Sequence, residues 1–272
     1  MSKRLCELAV TLLLLGTSVA RADLSACGSA YVKDSPDEQI HLYTICLTHG
    51  GLSRTDLAAA LLNRGVAYRQ KGDVDAALAD FDKSLKYDAK FGLAYFNRAF
   101  IYLQRGELVA AEADFSATVT RDPSRVWGEA FAYRGLLRAV RGLCAEAVAD
   151  FDSAFKFNRK LAWGYTAKAW ILATCADERQ RNGVDALKTA QKALTIQDHW
   201  RVHDALAAAY AELGQFDDSV RELKRAEAAL DADSEAWRPS LEARLALYQA
   251  RQPYRQPTEQ PPSSGEWLAM AY

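Results

Sequence analysis

Residues 63–81 read NRGVAYRQKGDVDAALADF, residues 97–115 read NRAFIYLQRGELVAAEADF, and residues 133–151 read YRGLLRAVRGLCAEAVADF. Three markers recur in step through these lines. Arginine falls at Arg64, Arg98 and Arg134, glycine at Gly72, Gly106 and Gly142, and an Asp-Phe pair ends at Phe81, Phe115 and Phe151. Each series advances by 34 and then 36 residues, which chance does not give to three independent markers. A period of this length is the signature of stacked helical hairpins, none of which can bury its apolar face alone.

The composition agrees. With 272 residues, 50% of them hydrophobic, the chain can bury a sizeable core. Its 34 basic and 35 acidic residues nearly cancel, so there is no electrostatic footprint for nucleic acid and no general attraction to anionic lipid. Alternating β-branched runs are absent while Ala and Leu dominate, which makes the fold class all-α.

The first 22 residues have the form of a cleaved secretory signal. Lys3 and Arg4 precede an apolar run from Leu8 to Val19, and Ala20-Arg21-Ala22 supplies a small-x-small cleavage site. That run is short for a bilayer span, which needs about 20 residues, so no membrane insertion is expected after cleavage. The localisation that follows is export across the inner membrane, most simply to the periplasm. The alternatives are an N-terminal anchor or a lipid on Cys27, since Leu24-Ser25-Ala26-Cys27 resembles a lipoprotein box. Export leaves Cys27, Cys46, Cys144 and Cys175, an even number that in an oxidising compartment suggests two disulfides among three pairings. Their spacing does not resemble a zinc site or a redox Cys-x-x-Cys.

In chain order, residues 23–54 form a two-cysteine helical cap. Ser35-Pro36-Asp37-Glu38 is a helix start, Ile40, Tyr43, Cys46 and Leu47 share one face, and Gly50-Gly51 stops the helix. A Cys27–Cys46 bridge would staple this cap to a preceding helix, contributing about 2–4 kcal/mol. The hairpin repeats occupy 55–233, with units near 58–91, 92–125, 128–161, 162–199 and 200–233. The two extra residues of the longer period fit the loop around 124–127. The fourth unit is irregular, with ATCADERQRNG (173–183) in place of a tight turn. A capping helix is expected within 234–255, with Trp237, Leu241, Leu245 and Tyr248 on a stripe. Residues 256–272 read as a flexible Pro/Ser tail ending in WLAMAY.

The repeat resembles the tetratricopeptide repeat (TPR) over about two thirds of the chain. The small and aromatic positions that carry the resemblance are Leu61, Gly65, Tyr68, Ala77, Phe81 and Ser84 in the first unit. In the second they are Tyr95, Ala99, Tyr102, Ala111, Phe115, Thr118 and Pro123, and in the third Phe131, Gly135, Ala147, Phe151 and Ala154. Arg138 stands where an aromatic is usual, and the fifth unit departs at Ser219 and Leu223. The resemblance implies a solenoid of about five hairpins with an N-terminal helical cap and a C-terminal capping helix. The leading two-cysteine segment and the ATC-x-D-x-R-x-RNG linker resemble exported proteobacterial envelope proteins of this family. In that frame the start of the second helix of repeat three lies beside the end of the first helix of repeat four, which pairs Cys144 with Cys175.

The family binds ligands on the inward face of each first helix. Carried onto this chain, the inward positions are Asn63, Val66, Arg69, Phe96, Asn97, Phe100, Gln104, Tyr133, Leu136, Trp163, Thr166 and Trp170. Aromatics and amides suit an extended or helical peptide, with Asn bonding its backbone; the same aromatics could instead pack between hairpins. Leu62, Val66 and Glu129 stand where a carboxylate clamp needs polar or basic groups, so that ligand is not expected. The Arg markers read either as an anion-binding row or as ion pairs with Asp80, Asp114 and Asp150, and the pairs are favoured. His199 and His203 are four apart, but one precedes a helix and the other fills a packing position, so no metal site is assigned. No phosphate loop, nucleophile elbow or zincin motif occurs, and neither a catalytic residue nor a cofactor is assigned. The function expected is a non-enzymatic scaffold for a peptide or protein partner of the bacterial cell envelope. The alternative is an assembly factor that acts by self-association or docks through its C-terminal cap and tail.

Overall fold

The computed structural model describes residues 27, 29–30, 33–48, 51–122 and 127–256. The signal at 1–22, most of the loop at 124–127 and the tail with WLAMAY lie outside the described residues. The regular structure among the described residues is all helical. Internal packing divides the chain into two compact units, Met1–Arg125 and Val126–Tyr272.

The first unit contains α1 (Pro36–Thr48), α2 (Arg54–Lys71), α3 (Val74–Tyr87), α4 (Gly92–Gln104) and α5 (Leu108–Arg121), each packed on the next. The second contains α6 (Gly128–Val140), α7 (Cys144–Phe157), α8 (Ala162–Thr174), α9 (Gly183–Leu194), α10 (Trp200–Glu212), α11 (Phe216–Ala228) and α12 (Arg238–Gln249). Successive helices again pack together, and α8 also lies against α10. The pairs α2/α3, α4/α5, α6/α7, α8/α9 and α10/α11 are the hairpins that the repeat predicts.

The glycine marker closes the first helix of a hairpin. At Gly72, φ is 90°, the left-handed conformation that a side chain disfavours. Its N–H donates to the Arg69 carbonyl, and the Asp73 N–H reaches back to the Tyr68 carbonyl at 2.9 Å. This is a Schellman ending, which satisfies carbonyls a helix end leaves orphaned. The same 6→1 bond recurs from Glu107 to Tyr102, Leu143 to Arg138 and Gln215 to Tyr210. Asp73 then caps α3 by accepting the Ala76 N–H.

The small residue marks the closest approach of the two helices. A Cβ added at Gly65 would lie 2.7 Å from a ring carbon of Phe81, with the Ala77 carbonyl 3.2 Å away. Phe81, Phe115 and Phe151 are fully buried; Phe81 faces Gly65 and Phe151 faces Gly135, and the equivalent position of the second hairpin, Ala99, is fully buried as well.

The Arg and Asp markers meet as ion pairs. Arg64 is bidentate to Asp80 at 2.7 and 2.8 Å, Arg98 to Asp114 at 2.7 and 2.8 Å, and Arg134 to Asp150 at 2.9 and 2.6 Å. Arg64 also donates to Thr44 on α1, and Arg98 pairs with Asp82 of the preceding hairpin. Arg138, the residue in the aromatic position, adds a second cation to Asp150 at 2.9 Å. Burial holds the Asp114 carboxyl above its ordinary value, a shift that the Arg98 guanidinium only partly offsets.

The irregular fourth turn is held by its own bonds. Asn182 caps α9 by accepting the Asp185 N–H, and the Arg181 guanidinium donates to the Cys175 carbonyl. The Gln180 side chain accepts the Ala145 N–H at 2.8 Å, which caps the start of α7. Cys144 and Cys175 flank this contact with Cα atoms 6.4 Å apart, and Cys27 and Cys46 lie 5.4 Å apart, both within the span that a disulfide bridges.

Beyond α12 the chain leaves helix. Residues 250–256 return to α8, and Gln256 is 8% exposed and bonded to Thr174, so at its first residue the tail expected to be flexible from 256 is instead anchored.

Arg98→Met should strand the buried Asp114 carboxylate and cost about 3–5 kcal/mol in urea unfolding. Pairing it with Asp114→Leu should restore most of that loss. A loss below about 1 kcal/mol for the single variant, the behaviour of a surface pair, would contradict this account.

Candidate functional site

In the first unit, α2 carries Asn63, Val66 and Arg69, and α4 carries Phe96, Asn97, Phe100 and Gln104. Three of the seven are buried: Val66, Phe96 and Asn97. The Asn97 amide donates to the Leu93 carbonyl at 2.8 Å, so that donor serves its own helix rather than a passing backbone. Phe96 lies 5.0 Å from Phe100, and both stand edge-on to the buried Phe115 at 5.7 Å. Asn63, Arg69 and Phe100 are half-buried and Gln104 is exposed. The Arg69 guanidinium sits 6.0 Å over the Phe100 ring and joins α2 to α4 across this surface. An amide, a cation and an aromatic ring therefore share one accessible face.

In the second unit the inward set is mostly packed. Leu136, Tyr133 and Thr166 are buried, and the Thr166 hydroxyl donates to the Ala162 carbonyl. Tyr133 lies 5.1 Å from the half-buried Trp163, which stands edge-on to Phe151. Trp170 is also buried, with the Arg244 guanidinium 5.1 Å from its ring and Tyr254 at 5.6 Å. Arg244 is bidentate to Asp204 at 2.9 and 3.0 Å, and burial pushes the Asp204 carboxyl up. Burial also raises the Tyr248 phenol, whose hydroxyl lacks a hydrogen-bond partner among the described residues.

Sequence reasoning missed Asp204, Arg244, Tyr254, Arg255 and Gln256. One signal was available: Arg244 lies between Leu241 and Tyr248 on the apolar stripe of α12, where a charge must be buried and paired.

The histidine pair does not converge. His199 accepts the Arg201 N–H as the N-cap of α10, and burial holds its pKa down. Both ring nitrogens of His203 are engaged, with Glu222 at 2.8 Å and Asp198 at 2.9 Å. Among the described residues no cluster of His, Cys, Asp or Glu could hold a metal ion, and no helix is long and apolar enough to cross a membrane.

No curated protein matches the sequence. Several solved structures share its fold. YrrB, described as a TPR protein with an unusual peptide-binding site, is 15% identical; the likeness covers 74% of this chain and 97% of that one, with a TM-score of 0.61. The C-terminal part of a TPR repeat-containing protein from Cytophaga hutchinsonii is 13% identical over 85% of this chain and 92% of its own, with a TM-score of 0.57. MamA is 19% identical over 68% of this chain and 95% of its own, with a TM-score of 0.55. At these identities the likeness establishes the fold alone. The model of the tetratricopeptide repeat matches residues 58–91, the first of the hairpins described above. Those residues are a tetratricopeptide repeat, and the chain has the all-α TPR fold built from that hairpin.

Proposed function

We propose that this chain is a non-enzymatic scaffold of the bacterial cell envelope that binds a peptide or protein segment on the α2–α4 face. One observation carries the reading. The residues that define the repeat, Gly65, Phe81, Ala99 and Phe115, are all buried, while Asn63, Arg69, Phe100 and Gln104 stay accessible on that face. An amide and a guanidinium can bond a peptide backbone, and the edge of Phe100 offers apolar contact to its side chains. The peptide-binding site ascribed to YrrB is consistent with such a use of the fold. Two cysteine pairs at bridging distance support an oxidising compartment, and with it export.

A photocrosslinking residue at Phe100 should capture the partner in cells, and the same probe at Val109, 73% exposed on α5, should not. Adding Arg69→Ala should abolish capture with the fold intact. Equal capture from both positions would contradict the assignment. A peptide map of the exported protein under non-reducing conditions should join Cys27 to Cys46 and Cys144 to Cys175. Linkage of Cys46 to Cys144 would overturn that pairing.

A further inference from the structure

The last described residues behave like a bound peptide. The Gln256 N–H donates to the Thr174 carbonyl at 2.9 Å, and the Gln256 side-chain amide donates to the Thr174 hydroxyl at 3.0 Å. Arg255 pairs with Glu212 at 2.6 Å and reaches the Ala173 carbonyl at 3.5 Å. Glu212 is held from its other side by Arg181 at 3.1 Å. The Tyr254 ring lies against Trp170, with the Arg244 guanidinium 5.7 Å from its centre.

None of these receiving groups needs the visitor to be covalently attached. Ala173 and Thr174 offer carbonyls that the end of α8 leaves without helical partners. Glu212 offers a half-buried carboxylate, and Trp170 an aromatic face. Backbone acceptors that fix an extended strand, combined with separate sites for an aromatic and a basic side chain, are the elements of peptide recognition.

The approach of the segment is specified as well. Arg251 has φ of 56°, the single positive value outside glycine among the described residues. It ends α12 by the same bonds that Gly72 uses, with the Gln252 N–H returning to the Leu247 carbonyl at 2.9 Å. A left-handed non-glycine residue persists only where surrounding contacts over-determine it, and the contacts of Tyr254, Arg255 and Gln256 supply that restraint. Pro253 then holds Gln252 extended.

We propose that the end of α8, with Glu212 and Trp170, is a binding site for an extended peptide carrying an aromatic residue, then arginine, then a residue whose backbone N–H and side chain both donate. Tyr254–Gln256 is the resident copy of that signature and keeps the site closed. A partner segment of the same chemistry must displace it. Because the connection from α12 is short, the resident competes at an effective concentration on the order of millimolar. The site uses no residue of α2 or α4, so it stands or falls apart from the function proposed above.

The test uses the full chain and a fluorescent peptide of residues 250–258, ARQPYRQPT, acetylated and amidated to remove terminal charges. Two release variants are compared with the parent: Tyr254→Ala with Arg255→Ala, and Gln256→Pro, which deletes the N–H that Thr174 receives and spares the aromatic contact. Thermal melts establish that each is folded. The release variants should bind the peptide saturably and at least about tenfold more tightly than the parent, and adding Glu212→Gln should abolish that gain. Equal binding by parent and release variants would overturn the proposal. So would failure of both release variants to bind at about millimolar peptide, the resident's own effective concentration.

Discussion

The three regular hairpins depend on one feature, a fully buried phenylalanine on the second helix with only glycine or alanine at the matching position of the first. At α2/α3 the clearance is smaller than a methyl group, since a Cβ on Gly65 would enter the Phe81 ring. Complete burial of such a ring contributes about 1.5–3 kcal/mol, so this contact is a main source of stability in the repeat. The polar markers follow from it. Arg64 precedes Gly65 and Asp80 precedes Phe81, so seating the ring brings guanidinium and carboxylate together. A buried pair of this kind adds little net stability over an apolar replacement, but it penalises any register that separates its members. The ring therefore supplies binding strength and the pair supplies register.

Departures from the pattern obey the same constraint. In α10/α11, Leu223 stands in the ring position opposite Ala207 and is fully buried. Glu222 replaces the aspartate, and its partners are His203 and Arg225 instead of a marker arginine. In the fourth hairpin the glycine turn is gone, and the longer connection caps two helices, α7 through Gln180 and α9 through Asn182. The cysteine pair at Cys144 and Cys175 lies at that joint. The two surfaces proposed to bind carry none of these repeat-defining contacts: the α2–α4 face, and the end of α8 where residues 254–256 pack.

The hairpins, their turns and the ion pairs were legible because each rests on residues at fixed spacing within one repeat. The candidate surface was legible only in part. Positions on the inward face of a first helix can turn to solvent or to the next hairpin, and spacing does not distinguish the two. Arg69 and Gln104 stayed accessible, whereas Leu136 and Trp170 were claimed by packing. The return of residues 250–256 left no periodic trace, because its partners are backbone carbonyls and a glutamate in distant helices. Only Arg244, a charge on an apolar stripe, hinted at buried chemistry there.

Gly65→Ala tests the central constraint most directly. Helix propensity alone favours alanine over glycine by about 1 kcal/mol, so a hairpin without the close approach would become more stable. If the Phe81 ring fills that space, the substitution should instead destabilise the protein in equilibrium urea unfolding, and Phe81→Leu introduced with it should recover part of the loss. A stabilised Gly65→Ala protein, with no coupling to Phe81→Leu, would contradict the account.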